Sequence, residues 1–482
     1  MLLELSALPS HINLTVMVAA FLMSMFITRA IVKHPLTLGL DKPDGRRKAQ
    51  TTPLPRLGGL PIFLTLIGGF AITAWRVEGF TERWWAVVLC NCLMFAIGFL
   101  DDLRPLGAKV KLLGQVGTAS ILYSLGISID VLTNPFGDEH VFIGLWSFPI
   151  TVLWLVAIPN IINLIDGMDG LAAGFGLFLS LTLAFVGHYA GRPEVVLMSV
   201  VMTGALGGFL FFNLPPARIY LGDGGAYLLG FYLASVSLFT ANKGSIMAGM
   251  LVMLIALGVP ILDTLFAILR RVIRGVPVFR ADAEHIHHRL LTLGFSKAKA
   301  LVAMYSVCLV LSLVGISILM SKGKALPIWG AACFLLMLGA VRYLGYIKRW
   351  SDVRLQFSSA MERRRDMLYT ATYGKLLEWE AERSVNAEEF VQLLEVGATR
   401  AGLATKLAAG LETLELPLTK GRACRFYCEK MEGAHERSLA KADLFVPALN
   451  FALERWGALP RLEIRRVADS ATNGGEASPP VT

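Results

Sequence analysis

The chain has 482 residues, 55% of them hydrophobic and only 17% charged, with a mean hydropathy of +0.59 and a formal net charge of +9. Soluble domains carry roughly 25% charged residues, so a string of soluble domains is excluded, as is a disordered or collagen-like chain. Six cysteines in this length exclude a disulfide-framed secreted scaffold. Charge is uneven: 20 of the Lys/Arg and 19 of the Asp/Glu fall in residues 348–482, leaving 25 and 17 for the first 347. The pattern predicts an all-α polytopic membrane protein over 1–347, a small cytosolic, mainly helical or α+β accessory domain over 348–468, and a disordered end over 469–482. The basic excess lies in the membrane part, where positive loops beside spans account for it, so the lipid bilayer and not nucleic acid is the expected partner.

A span needs about 20 mostly apolar residues. Eleven stretches qualify, near 12–32, 57–75, 84–100, 112–129, 144–162, 171–189, 195–213, 224–241, 246–269, 300–320 and 326–346. The first lacks a basic leader and a small-residue cleavage site, so it reads as an uncleaved span. Eleven spans put the termini on opposite sides. With the N-terminus outside, nineteen Lys/Arg sit at inner loops and span ends against six outside, which favours N-out and C-in. The inner loops are then 33–56, 101–111, 163–170, 214–223 and 270–299.

Acidic signals fall at that inner face in chain order: Asp101 and Asp102 ending the third span, Asn163, Asp166 and Asp169 in NLIDGMDGL, and Asp223 in GDGG, with Asp263 two turns inside the ninth span after Pro260. Taken singly, each reads as a loop carboxylate or a helix cap, and Asp223 before an apolar run is an ordinary helix start. Carboxylates near hydrocarbon cost about 2.5–3.5 kcal/mol at depth, which makes several on one side functional candidates. Oxygen donors without thiols suit a hard cation, Mg2+, with Mn2+ able to replace it. Glycines 167, 170, 222, 224 and 225 permit tight turns and close backbone approach, and amides at a helix start can face a phosphate. Adjacent aspartates on a helix point roughly 100° apart, so Asp101 and Asp102 need not share a role.

The last inner loop carries Arg270, Arg271, Arg274 and Arg280, then His285, His287, His288 and Arg289. Three histidines so close could bind zinc, yet no Cys/His partners lie in another inner loop and the string is not HExxH. Such donors suit phosphate and nucleobase oxygens. Lys109 and Lys111 add point charges that positive-inside topology also explains. The inventory fits phosphoryl transfer between a nucleotide-activated group and a lipid phosphate, which needs charge neutralisation and alignment above all. In the tail, the run from Glu388 to Leu416 reads as helices punctuated by glycine, with strands at RFYCEK and LPRLEIRRVA. Cys424 and Cys428 read as plain thiols, because two cysteines do not make a zinc site.

At these residues the chain resembles the polyprenyl-phosphate N-acetylhexosamine-1-phosphate transferases, in particular their WecA-like branch. The resemblance rests on PLPRLGG from Pro53, Asp101-Asp102, NLIDGMDGL from Asn163, GDGGA from Gly222 and HIHHRL from His285, in that order over about residues 12–346. It implies transfer of a sugar-1-phosphate from a UDP-N-acetylhexosamine to undecaprenyl phosphate at the bacterial cytoplasmic membrane. UMP is released, and the first lipid-linked sugar of an envelope polysaccharide is formed. HIHHRL looks more like the enzymes using UDP-N-acetylglucosamine than those using UDP-N-acetylmuramoyl-pentapeptide. The resemblance implies Asp223 as a Mg2+ ligand with Asn163 as a second, and Lys111 on the nucleotide diphosphate. Asp101 and Asp102 would activate the nucleophile or place the lipid phosphate, while Asp166 and Asp169 would bind nucleotide and organise the site. His285, His287, His288 and Arg289 would form the donor-binding loop, with Arg56 and Asp263 grouped among the substrate-binding residues. A homodimer stays open. A lipid phosphate is already largely ionised near pH 7, given a second pKa near 6, so direct attack on the β-phosphorus is preferred over a covalent aspartyl-phosphate. The rival class is a transporter, which places acidic sites near the midplane in broken helices of repeated halves. No internal repeat is evident, and only Asp263 fits that pattern.

Overall fold

A computed structural model describes residues 10–34, 40–41, 54–76, 82–133, 140–239, 247–274, 285–321, 323–343, 353–406, 408, 410–419, 422–429 and 434–466. All eleven apolar stretches are helical. They form α1 (Ser10–Lys33), α2 (Gly59–Arg76), α3 (Glu82–Leu103), α4 (Ala108–Ser124), α5 (Ser147–Ile165), α6 (Leu171–Tyr189), α7 (Pro193–Asn213), α8 (Gly222–Phe239) and the consecutive pair α9 (Met247–Ala256) and α10 (Gly258–Arg274). After the short α11 (Ile286–Thr292) come α12 (Lys297–Met320) and α13 (Leu326–Tyr343), and two short antiparallel pairs, β1 (Leu40–Asp41) with β2 (Leu54–Pro55) and β3 (Val131–Thr133) with β4 (His140–Phe142), lie in the connections. Among the described residues, six of these helices are long and apolar enough to cross a membrane, or seven if the bent α9–α10 pair is one span; α2 and α13 are shorter apolar helices. The chain is a mostly helical, polytopic membrane protein.

Local chemistry moves two of the expected boundaries. The fourth stretch was expected to run to residue 129, but α4 stops at Ser124. Gly126 adopts φ +84°, and the Gly126 and Ile127 amides bond back to the Tyr123 and Leu122 carbonyls, the glycine-based stop of a helix. The ninth stretch, expected as one helix, breaks between α9 and α10 with a bend of 63°. Pro260 sits in the first turn of α10 and has no N–H for the carbonyl one turn back, so the helix restarts there.

Two compact units result: residues 1–267 with 281–348, and residues 268–280 with 349–482. In the first, α8 is the central element and is buried from Gly222 to Ser237. A helix apolar on all sides must be covered on all sides, and α2, α3, α5, α6 and α9 pack around it. The α1–α7 pair is tied by Ser24 Oγ donating to the Ala205 carbonyl at 2.7 Å. A cavity of about 520 Å³ lies at the Glu82 end of α3, opposite its Asp101–Asp102 end, and none of the expected site residues lines it.

The second unit contains α14 (Val353–Arg383), α15 (Ala387–Arg400), β5 (Leu411–Pro417), β6 (Arg422–Glu429), α16 (Ala434–Ala442), α17 (Val446–Trp456) and β7 (Ile464–Arg466). Its strands form an antiparallel sheet in the order β5-β6-β7. Asn386 starts α15 by accepting the Glu389 amide at 2.9 Å, while Glu389 reaches back to the Val385 amide at 2.8 Å. Leu377, Phe390, Leu394, Phe426, Phe445 and Leu449 form the core. The expected strands at RFYCEK and within LPRLEIRRVA are present as β6 and β7. The reading of 388–416 as helices is corrected: 411–417 is a strand, because Leu414 and Leu416 point inward while Thr413 and Glu415 point out, a period of two. Cys424 and Cys428 are buried free thiols, and burial pushes the Cys424 thiol up to about 12. The expected disordered end, 469–482, lies outside the described residues.

Candidate active site

The loop before α2 and the loop before α8 are laced together. The Gly58 and Gly59 amides donate to the Tyr220 and Leu221 carbonyls at 2.9 and 2.8 Å, and the Tyr220 amide donates to the Pro55 carbonyl at 2.9 Å. This fixes Arg56 beside the start of α8. Gly222 has φ +74°, and a Cβ there would collide with the Arg56 carbonyl and the Asp102 carboxylate. Only glycine lets the three pieces meet.

At that junction the adjacent aspartates of α3 take separate tasks. Asp102, with a side chain 2% exposed, accepts the Asp223 amide at 2.9 Å on one oxygen and the Gly224 amide at 2.8 Å on the other. It therefore caps α8 from another helix, satisfying two amides that a helix start leaves without partners. The expectation that these amides could face a substrate phosphate is corrected, since the protein's own carboxylate occupies them. Asp101 turns the other way. It accepts the Leu106 amide at 2.7 Å and the Lys111 ammonium at 3.1 Å.

Lys111 also donates to Asp223 Oδ2 at 2.9 Å, and the Arg56 guanidinium lies 3.7 Å from Asp223 Oδ1 and 3.9 Å from Asp102. Desolvation works against the Lys111 ammonium, but the Asp223 carboxylate, with Asp101 behind it, outweighs this and holds its pKa above that of ordinary lysine. Asp166, just past the end of α5, is half-buried. Desolvation first, then the Asp223 and Asp102 carboxylates, push its carboxyl well above the ordinary range, with Arg56 opposing. Asn163 donates to the Tyr227 hydroxyl at 3.4 Å, and Tyr227 lies one turn after Asp223 on α8.

The donor chemistry suits a hard divalent cation. Asp101, Asp102, Asp166 and Asp223 supply four carboxyl groups beside two cations, Arg56 and Lys111, and the remaining polar groups are the Asn163 amide and the Tyr227 hydroxyl. Among the described residues no three Asp, Glu, His or Cys side chains form a ready-made cage. Mg2+ usually takes one or two carboxylates and completes its shell with water and substrate phosphate, a habit that Asp223 fits, with Asn163 bonded to Tyr227 one turn along α8.

Asp169 stands apart from this set: its Oδ2 lies 3.4 Å from the Ala217 amide and 3.7 Å from Lys297 Nζ. The turn after it is anchored by side chains sequence reasoning missed. Asn213 accepts the Gly170 amide at 3.1 Å, and the Tyr305 hydroxyl donates to the Gly170 carbonyl at 2.5 Å. Asn213, at the last position of α7, was the legible one of the two. Tyr227 was also legible, as a residue four after Asp223 on the same helix face.

The histidine segment forms a second group on α10 and α11. Asp263 and His285 are both buried, 4% and 6% exposed. Asp263 Oδ2 lies 3.0 Å from His285 Nδ1, and its Oδ1 accepts the Ile286 amide at 3.1 Å. Both carboxylate oxygens are thereby used in orienting His285 and starting α11, which carries His288 and Arg289, both half-buried. The His287, Arg270 and Arg274 side chains, together with Pro53 and Arg280, lie outside the described residues.

Helices packed around one acidic helix start, with Arg56 and Lys111 gathered there, make this a membrane protein with a polar cluster of the kind phosphate chemistry uses, and its relatives identify it as an enzyme. The chain belongs to glycosyl transferase family 4, which matches residues 84–241. It is 35% identical over 65% of its length to 86% of a probable undecaprenyl-phosphate N-acetylglucosaminyl 1-phosphate transferase of Bacillus subtilis. It is 32% identical over 59% of its length to 77% of a decaprenyl-phosphate N-acetylglucosaminephosphotransferase of Mycobacterium tuberculosis. It is also 28% identical over 57% of its length to 86% of a phospho-N-acetylmuramoyl-pentapeptide-transferase of Halalkalibacterium halodurans.

Proposed function

We propose that this enzyme transfers N-acetylglucosamine-1-phosphate from its UDP-sugar to undecaprenyl phosphate, with Mg2+, releasing UMP and leaving a lipid diphosphate sugar that begins an envelope polysaccharide. The observation that carries the reading is the convergence of Arg56, Lys111 and Asp102 on Asp223 at the start of α8, with Asp101 holding Lys111 from behind. The names of the Bacillus and Mycobacterium relatives support the donor sugar and the polyprenyl acceptor. The eleven helical stretches and the excess of Lys/Arg at one set of loops support eleven spans in the bacterial cytoplasmic membrane, N-out and C-in, with this cluster at the cytosolic face.

In the reaction an oxygen of the lipid phosphate forms a bond to the β-phosphorus of the donor, and the bond from that phosphorus to the bridging oxygen breaks, leaving UMP with the oxygen. Asp223 with Asn163 would hold Mg2+, which when bound would neutralise diphosphate charge. Lys111 and Arg56 offer cationic donors to the phosphate oxygens. Asp101 holds Lys111 in place, and Asp102 holds the start of α8 and with it Asp223. His285, oriented by Asp263, and Arg289 supply further donors for the nucleotide sugar.

The test is purified protein with undecaprenyl phosphate, Mg2+ and a panel of UDP-sugars, following UMP and the lipid product. Activity with UDP-N-acetylglucosamine that chelation abolishes, and that Asp223→Asn lowers by orders of magnitude, is the expected result. Turnover untouched by either change overturns the metal assignment. The Halalkalibacterium relative supports a second reading, in which the donor is UDP-N-acetylmuramoyl-pentapeptide; the same panel separates the two.

A further inference from the structure

Helix α14 of the second unit has two apolar faces, and among the described residues one packs against that unit's core while the other is exposed. Met367, Thr370, Gly374, Leu377 and Ala381 are buried on the side facing that unit's core. On the other side Met361, Leu368, Leu376 and Trp379 are exposed, Trp379 at 67%. At about 100° per residue these four fall within an arc of roughly 120°. Arg365, Lys375 and Arg383, all exposed, share the arc, against one carboxylate, Glu382. The other nearby acids, Glu362, Asp366, Glu378 and Glu380, lie outside it. The stripe from Met361 to Arg383 is about 33 Å long at a rise of about 1.5 Å per residue.

We propose that this face of α14 is a membrane-surface contact, seated on an anionic lipid headgroup layer with Leu368, Leu376 and Trp379 at the interface and Arg365, Lys375 and Arg383 against lipid phosphates. Three observations select lipid over a protein partner. A helical partner wants an apolar residue every seven, but the series Met361, Leu368 continues to Lys375 and Glu382. Long cationic stems beside aliphatic side chains and a tryptophan are the composition of a helix lying in a bilayer interface. Only nine residues, 344–352, separate α14 from the last apolar helix, α13, so the helix is tethered to a bilayer by its own chain. The excess of cations on the face complements an anionic leaflet.

The test uses the full chain in nanodiscs. Cys92 and Cys333, the two native thiols that are not buried, are replaced by serine. A polarity-sensitive fluorophore is attached through Trp379→Cys, or through Glu362→Cys as the off-face control. Discs contain either phosphatidylcholine alone or phosphatidylcholine with phosphatidylglycerol. The expected result is a blue shift at position 379 only in the anionic discs, with position 362 unshifted. The shift is lost in 1 M salt, where screening shortens to about 3 Å, and lost in Arg365→Glu/Lys375→Glu/Arg383→Glu protein whose unfolding midpoint is unchanged. Equal emission in both disc types overturns the proposal. A shift that survives salt and charge reversal overturns it in favour of a protein contact, and one that needs two copies per disc overturns it in favour of self-association.

Discussion

Neighbouring aspartates with different duties give a sharp prediction. Asp102 is buried, and each of its oxygens accepts one amide at the start of α8. Asparagine keeps one acceptor but turns an NH2 toward the second amide, leaving a buried donor unsatisfied at a cost of about 1–3 kcal/mol. Alanine leaves both amides unsatisfied, about 2–6 kcal/mol, offset in part because a carboxylate no longer has to be desolvated. Asp101 serves the Leu106 amide and the Lys111 ammonium at a less enclosed place, so Asp101→Asn is expected to cost only about 0.5–1.5 kcal/mol. Against a typical total of about 5–15 kcal/mol losses of this size are large enough to move the unfolding midpoint measurably. Thermal unfolding in detergent should rank the midpoints wild type, Asp101→Asn, Asp102→Asn, Asp102→Ala from high to low. UMP release should fall in all three variants, because one aspartate positions Lys111 and the other positions Asp223. If Asp101→Asn destabilised as strongly as Asp102→Asn, or if Asp102→Ala unfolded at the wild-type temperature, the assignment of Asp102 as the cap of α8 would be wrong.

Asp166 gives a pH-dependent expectation. Its folded pKa is raised above the unfolded value of about 3.9, so its ionisation weakens the fold as pH rises from that value through the folded one. In chelated protein, Asp166→Asn should therefore unfold at a higher temperature than wild type at pH 8, with the gap closing toward pH 4, while activity falls; a variant less stable at pH 8 would refute this. Asp263→Asn keeps the shape and an acceptor for the Ile286 amide but can only donate to His285 Nδ1, which forces the ring proton onto Nε2. Losing a charge-assisted bond of about 1.5–3 kcal/mol should raise KM for the UDP-sugar by roughly 10–100-fold with a smaller change in kcat, measured by initial rates. An unchanged KM with less folded protein would leave Asp263 a purely structural residue.

The sequence alone determined that the first part of the chain is a polytopic membrane protein built of apolar helices, because burial in hydrocarbon demands long apolar runs, and those runs are helical, the ninth as two helices. It also drew attention to Asp101, Asp102, Asn163, Asp166 and Asp223, since acidic and amide groups at the ends of such runs are costly enough to stand out, whereas Arg56 and Lys111 looked like ordinary positive-inside charges and were singled out only by the family resemblance. Their division of labour was not legible. Nothing in Asp101-Asp102 says which member faces Lys111 and which caps α8; the rotation of α3 against α8, and a glycine at φ +74° between them, decided that. The break of α9–α10 followed from Pro260, but the pairing of Asp263 with His285 depended on how the chain returned after it. The strand at 411–417 was missed because leucines mixed with glutamates suit a helix as well as a strand by composition. Hydrogen-bonding neighbours on β6 settled the choice, and only tertiary structure supplies neighbours.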